Sequence, residues 1–187
     1  MDGGSLRAYL DQKRLKQRLS VNVTSLQVAW VVANALNDLH AKDIIHRDIK
    51  SHNVLLSTSG EIKLSDLGLA RLEATDMTEA PGTRYWMAPE ILRANGTKYS
   101  SPADIYAFGV LLTELDTCQP PYFDQDVQDP IAFVRGVING TLRPTLTKDG
   151  EPWLRSLAQK CLQGDPNDRP TIQRVVEILH EAIACTL

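Results

Sequence analysis

His46-Arg47-Asp48-Ile49-Lys50-Ser51-His52-Asn53 puts a carboxylate, an ammonium and a neutral amide into one short stretch. Asp48 can accept or orient the proton of an attacking hydroxyl, and Asn53 offers a neutral oxygen to a hard cation. Lys50 can bring positive charge to the same place. Taken alone, each residue also has a plain structural use: Asp48 can cap a turn, and Asn53 can hold a loop. The surrounding sequence decides between these uses.

Upstream, Leu26, Trp30, Ala33 and Leu36 recur at helical spacing, so Thr24 to Ala41 is expected to form a helix with one side committed to the core. The glycine-free run Leu6 to Arg18 suggests a shorter helix before it. Around the opening stretch lie three β-type runs, Asp43 to Ile45, Val54 to Leu56 and Glu61 to Leu64, the last two separated by a turn at Ser57 to Gly60. They predict small hairpins, not a large sheet.

Leu72 to Tyr85 is rich in Thr, Glu and Gly and has no periodicity, which reads as a long loop of the kind that carries function. From Ser101 the pattern changes. Ser101 is placed to cap a helix, with Pro102 at its first position and Asp104 three residues after the cap. Ile105 to Leu115 is apolar on nearly every side, as a helix buried at the centre of a domain would be. Ile172, Val175, Val176, Leu179 and Ile183 mark an amphipathic helix near the end. Prolines punctuate shorter helices near Ile131 to Ile138 and Trp153 to Leu162.

Hydrophobic residues make up 43% of the 187 and charged residues 23%, enough for one domain with a real core and against disorder. The longest apolar run, Val28 to Ala33, is far too short to span a bilayer, and Met1 to Asp11 lacks the pattern of a signal peptide. A net charge of -3 supplies no field for gathering nucleic acid, and the local patch Lys13 to Arg18 reads as a solvated helix face. Cys118, Cys161 and Cys185 are odd in number and far apart, which suits reduced thiols in a cytoplasmic or nuclear setting better than a metal site.

Three further stretches follow in order. Asp66-Leu67-Gly68 begins 18 residues after Asp48, Gly82-Thr83-Arg84-Tyr85-Trp86-Met87-Ala88-Pro89-Glu90 follows, and Asp165-Pro166-Asn167-Asp168-Arg169-Pro170 comes late. Together with the opening stretch they resemble the C-terminal, large lobe of the eukaryotic protein kinase superfamily. Lys50 and Thr83 resemble serine/threonine kinases, and the wording of residues 82–90 resembles the tyrosine-kinase-like group, whose members mostly phosphorylate Ser and Thr.

The resemblance implies a protein kinase-like fold, a mainly α large lobe with short β-hairpins, as a single domain over residues 1–187. Its catalytic loop would be 46–53, its activation segment 66–90 and its buried central helix about 102–116. Asp48, Lys50 and Thr83 would serve catalysis, Asn53 and Asp66 would hold Mg2+, and Leu55 would form a floor under the adenine of ATP. His46, Arg47 and Gly68 belong to the same motifs, and Leu67 takes the place of the usual Phe at an apolar packing position. Glu90 and Arg169 would form an ion pair that fixes the peptide-docking platform, and Asp104 would hold the backbone around the catalytic loop. A phosphate on Thr75 or Thr78 could pair with Arg47 and order the activation segment.

Met1 to Leu6 resembles the segment just after a kinase hinge, and no GxGxxG or Val-Ala-Ile-Lys strand occurs. The expectation is ATP-dependent phosphorylation of protein Ser/Thr residues by the complete domain. The chain itself is expected to lack the small β-rich ATP-clamping lobe and to have negligible activity. Its expected partners are a protein substrate and a small lobe supplied by a longer parent, and the face meeting that lobe would be apolar. The alternative is a catalytically inactive kinase-derived docking or scaffold module.

Overall fold

Ser5 opens the first helix, α1 (Leu6–Arg14), its Oγ accepting from the Ala8 amide at 3.3 Å. The computed structural model describes residues 1–69, 71–72, 83–93, 99–125 and 129–185. Helix α1 ends at Arg14 instead of Arg18, because Lys16 takes left-handed backbone (φ 53) that a right-handed helix cannot continue through. Residues 13–18 are exposed, as a solvated patch should be.

Helix α2 (Ser25–His40) starts on a reciprocal cap: Thr24 Oγ1 accepts from the Gln27 amide at 3.1 Å, and Gln27 Oε1 accepts from the Thr24 amide at 2.9 Å. Its core face is Val28, Ala29, Val32, Ala33 and Leu36, with Leu26 and Trp30 packed at the margin.

Among the described residues four short strands follow: β1 (Ile44–Ile45), β2 (Val54–Leu56), β3 (Ile62–Leu64) and β4 (Arg71–Leu72). Strands β2 and β3 form the expected hairpin, with Val54 opposite Leu64. Strand β1 instead pairs antiparallel with β4, Ile44 opposite Leu72, so the second pair is not a hairpin between neighbours. The two pairs bracket residues 46–53.

Helix α3 (Pro89–Leu92) leads to α4 (Ser101–Thr117). The cap of α4 is Ser100, not Ser101, and its side chain makes no capping hydrogen bond. With the cap at Ser100, Asp104 lies one residue past the capping-box position, and both its oxygens accept from the His46 and Arg47 amides. Every residue from Ala103 to Leu115 is buried. Helix α4 packs against α2 and against α6 (Pro152–Cys161), while α7 (Ile172–Ala184) packs along α2. The approach of α4 to α6 needs Gly109, since a Cβ there would lie 2.7 Å from the Cys161 Cβ.

Helix α5 (Pro130–Asn139) carries Phe133 and Val137 into a second, smaller core with Tyr122. Tyr85 meets Phe133 edge-on at 5.0 Å, which anchors the turn before α3. Full burial of such apolar side chains is worth about 1.5–3 kcal/mol each, so α4 and its neighbours dominate cohesion.

The cysteines are unpaired with one another; Cys161 is buried and its thiol is pushed up to about 12 by burial, which makes it inert. Among the described residues no helix is long and apolar enough to cross a membrane.

Candidate active site

Asp104, wholly buried in the first turn of α4, organises the start of the stretch 46–53. Its Oδ2 accepts from the His46 amide at 2.8 Å and its Oδ1 from the Arg47 amide at 2.9 Å. His40, the last residue of α2, places Nε2 2.9 Å from the same Oδ2. These bonds hold Arg47 in left-handed backbone (φ 71), and Tyr99 secures it by donating its hydroxyl to the Arg47 carbonyl at 3.2 Å. The Arg47 guanidinium lies 5.6 Å over the Tyr99 ring.

His46 is buried and bonded on both ring nitrogens. Nδ1 accepts from the Asp48 amide at 3.3 Å, and Nε2 lies 3.1 Å from the Ser65 carbonyl, to which it must donate. This fixes the neutral tautomer with its proton on Nε2, and burial holds the ring below the ordinary imidazole value.

The Asp48 carboxylate that follows is only 3% exposed as a residue. Its Oδ2 receives Lys50 Nζ at 2.7 Å and Asn53 Nδ2 at 2.7 Å. Asn53 Nδ2 also donates to the Asp48 carbonyl at 2.8 Å. Asp48, Lys50 and Asn53 are therefore one cluster, closed by the short 3-10 turn Ser51–Asn53.

Ser65, the residue before Asp66, is tied to this cluster. It donates both its amide (2.8 Å) and its hydroxyl (2.9 Å) to the Asn53 carbonyl, continuing the β2–β3 register. Asp66 is exposed and left-handed (φ 65), and its Oδ1 accepts from the Gly68 amide at 3.4 Å. Asn53 uses only Nδ2 in its bonds to Asp48, which keeps its Oδ1 out of both. One amide oxygen and one carboxylate are hard donors suited to Mg2+, which takes few protein ligands and completes its shell from phosphate and water. The residues present thus fit the metal.

Leu55 lies half-buried in β2, opposite Lys63 and bridged to Ser5. Leu67 departs from its expected packing position. The left-handed step at Asp66 leads into the 3-10 turn Leu67–Leu69, where Leu67 is 56% exposed and outside the core. Thr83 begins the 3-10 turn Thr83–Trp86, and its side chain is not among those described. Thr75 and Thr78 lie outside the described residues. Glu90 and Arg169 meet as a buried two-pronged pair, with both N–O distances 2.7 Å.

Sequence reading missed four residues. Glu114 is fully buried in α4 and gathers Ser51, Trp86 and Arg7 around its carboxylate. Glu114 is the lone charge in the apolar run Ile105 to Leu115, which is the signal that could have found it.

The protein kinase domain family matches residues 1–180. A probable serine/threonine-protein kinase of Dictyostelium discoideum is 35% identical over 183 residues, 97% of this chain and 19% of that protein. Serine/threonine-protein kinase STY46 of Arabidopsis thaliana is 34% identical over 183 residues, 97% of this chain and 30% of that protein. Serine/threonine/tyrosine-protein kinase HT1 of the same plant is 34% identical over 188 residues, 99% of this chain and 46% of that protein. The chain thus spans less than half the length of these relatives. With a family match that takes in the Asp48 cluster and the Glu90–Arg169 pair, the chain belongs to the protein kinase domain family.

Proposed function

We propose that the chain carries the acceptor-side machinery of ATP-dependent phosphoryl transfer to serine and threonine residues of protein substrates. The observation that supports this is the buried Asp48 carboxylate, within 2.7 Å of both Lys50 Nζ and Asn53 Nδ2. In this reading Asp48 orients the substrate hydroxyl and takes up its proton, while the γ-phosphoryl passes to the hydroxyl oxygen and ADP leaves. Lys50 balances the charge that develops. Asn53 and Asp66 would hold Mg2+, which would neutralise phosphate charge, and Leu55 would form the floor under the adenine. Glu90, gripped by Arg169, steadies the platform on which the substrate peptide rests. Serine and threonine are favoured by Lys50 two positions after Asp48 and by the names of the relatives.

A second reading is a docking or scaffold module that keeps the kinase fold and transfers no phosphate. Both readings meet in one assay. Purified chain is incubated with Mg-ATP and a generic protein substrate, alone and fused behind the small lobe of a related kinase. We expect negligible turnover alone, and in the fusion phosphoserine and phosphothreonine that Asp48→Asn abolishes. A folded fusion without Asp48-dependent turnover selects the docking module, and phosphotyrosine as the main product overturns the Ser/Thr assignment.

A further inference from the structure

Asp104 pins the start of the catalytic stretch, and a second buried acid in the same helix pins its far end. Glu114 is 0% exposed, and its two oxygens receive four donors. Oε1 accepts from Ser51 Oγ at 2.6 Å and Arg7 Nη1 at 3.2 Å. Oε2 accepts from Trp86 Nε1 at 2.9 Å and the Ser51 amide at 3.2 Å. The donors come from three separate places: α1, the turn between Lys50 and Asn53, and the turn just before Glu90.

Arg7 widens the junction. Its Nη2 donates to the Cys118 carbonyl at 2.8 Å and to Asp11 at 3.0 Å, so α1 is tied to the end of α4 through one guanidinium. A buried ion pair is a weak source of stability, because desolvation offsets its attraction. What it does impose is geometry, since each donor must stay where the carboxylate can satisfy it. Burial raises the Glu114 carboxyl above the usual range, and the Ser51 and Trp86 hydrogen bonds and the Arg7 charge oppose that shift.

We propose that Glu114 is a positioning residue: its carboxylate locks the Ser51–Asn53 turn, and with it Asn53 against Asp48, to the Trp86 turn and to α1. The catalytic stretch, the turn before Glu90 and the first helix then keep one relative placement. The proposal rests on the phosphotransfer reading for the meaning of that stretch. Its test requires no turnover.

Glutamine is the discriminating substitution. It offers one acceptor oxygen where four donors converge, and its NH2 would face two of them. The test is NMR on the isotope-labelled chain, with Trp86→Phe identifying the Trp86 indole signal. In Glu114→Gln we expect the Ser51 amide to exchange about tenfold faster or more, through local opening, with α2 and α7 still protected. The Trp86 indole proton should move upfield, and the Asn53 side-chain amide signals should shift. Arg7→Met should move the same three probes by less. Thr113→Val removes a buried hydroxyl that bonds only to the Val110 carbonyl of its own helix, so it should lower stability and leave the probes in place.

Unchanged Asn53 signals in Glu114→Gln overturn the proposal, as do probe shifts in Thr113→Val as large as those in Glu114→Gln. Should Glu114→Gln not fold, Arg7→Met and Trp86→Phe decide, and Ser51 and Asn53 signals unchanged in both also overturn it. A blank phosphotransfer assay touches none of these readouts, so the two readings fail separately.

Discussion

Arg169 holds Glu90 with both arms of its guanidinium, Nη1 on Oε1 and Nη2 on Oε2, each at 2.7 Å, across 79 positions of sequence. The same side chain donates Nε to the Gln163 carbonyl at 3.0 Å and Nη1 to the Pro102 carbonyl at 2.9 Å, and lies 5.1 Å over the Tyr106 ring. One cation thereby joins α3, the first turn of α4 and the turn before α7.

Removing either partner leaves an uncompensated charge in a buried place. Glu90→Ala and Arg169→Ala should each cost about 3–5 kcal/mol, read as a lower urea midpoint. Arg169→Lys should rescue only part of the loss, because a point charge cannot reproduce the two-pronged contact.

Asp104→Asn keeps the shape of a side chain that serves His46, Arg47 and His40, but replaces one acceptor oxygen by an NH2 that faces donors. We expect a loss of about 1–3 kcal/mol. Hydrogen exchange should be faster at the His46 and Arg47 amides, with helical circular dichroism unchanged.

His46 sets a pH dependence whose sign is fixed by its lowered value. The unfolded ring takes up a proton near 6.5, while the folded ring resists until lower pH. Its contribution to stability is therefore complete above 6.5 and is lost as pH falls through the lowered folded value. Urea midpoints measured from neutral pH downward should fall across that window, and His46→Gln should flatten the slope.

Gly109→Ala sets helix propensity against packing. Alanine favours the helix by about 1 kcal/mol over glycine. Its Cβ would stand 2.7 Å from the Cys161 Cβ, a rigid atom that cannot swing aside. Overpacking of this kind costs about 1–3 kcal/mol, so the variant should melt at a lower temperature than the parent.

Much of the helical framework was legible because its signals are local. The period of Leu26, Trp30, Ala33 and Leu36, and the largely apolar run Ile105 to Leu115, each gave a helix within a few residues of its observed bounds. Boundaries failed where a tertiary demand outranked a local one. Ser101 lost the cap of α4 to Ser100, and Asp104 served the catalytic stretch instead of its own helix end.

The chemistry was legible only as an ordered set of motifs. Asp48, Lys50 and Asn53 gave no sign of their mutual contacts, which depend on the 3-10 turn between them. Arg7, Ser51 and Trp86 carried no signal, since their common partner lies far from each in sequence. Leu67 was read as a packing residue through the resemblance, yet within the chain it is 56% exposed, after a left-handed step at Asp66.

The two fully buried acids of α4, Asp104 and Glu114, stand ten positions apart, a rise of about 15 Å along a straight helix. One grips the beginning of the catalytic stretch and the other its turn, so the stretch is strung between them like a wire between two pegs. Its tautness belongs to the rod that carries the pegs. A substitution on the face of α4 against α6, far from any reacting atom, can bow that rod and slacken the wire, so tuning of this loop is written into the packing of the core.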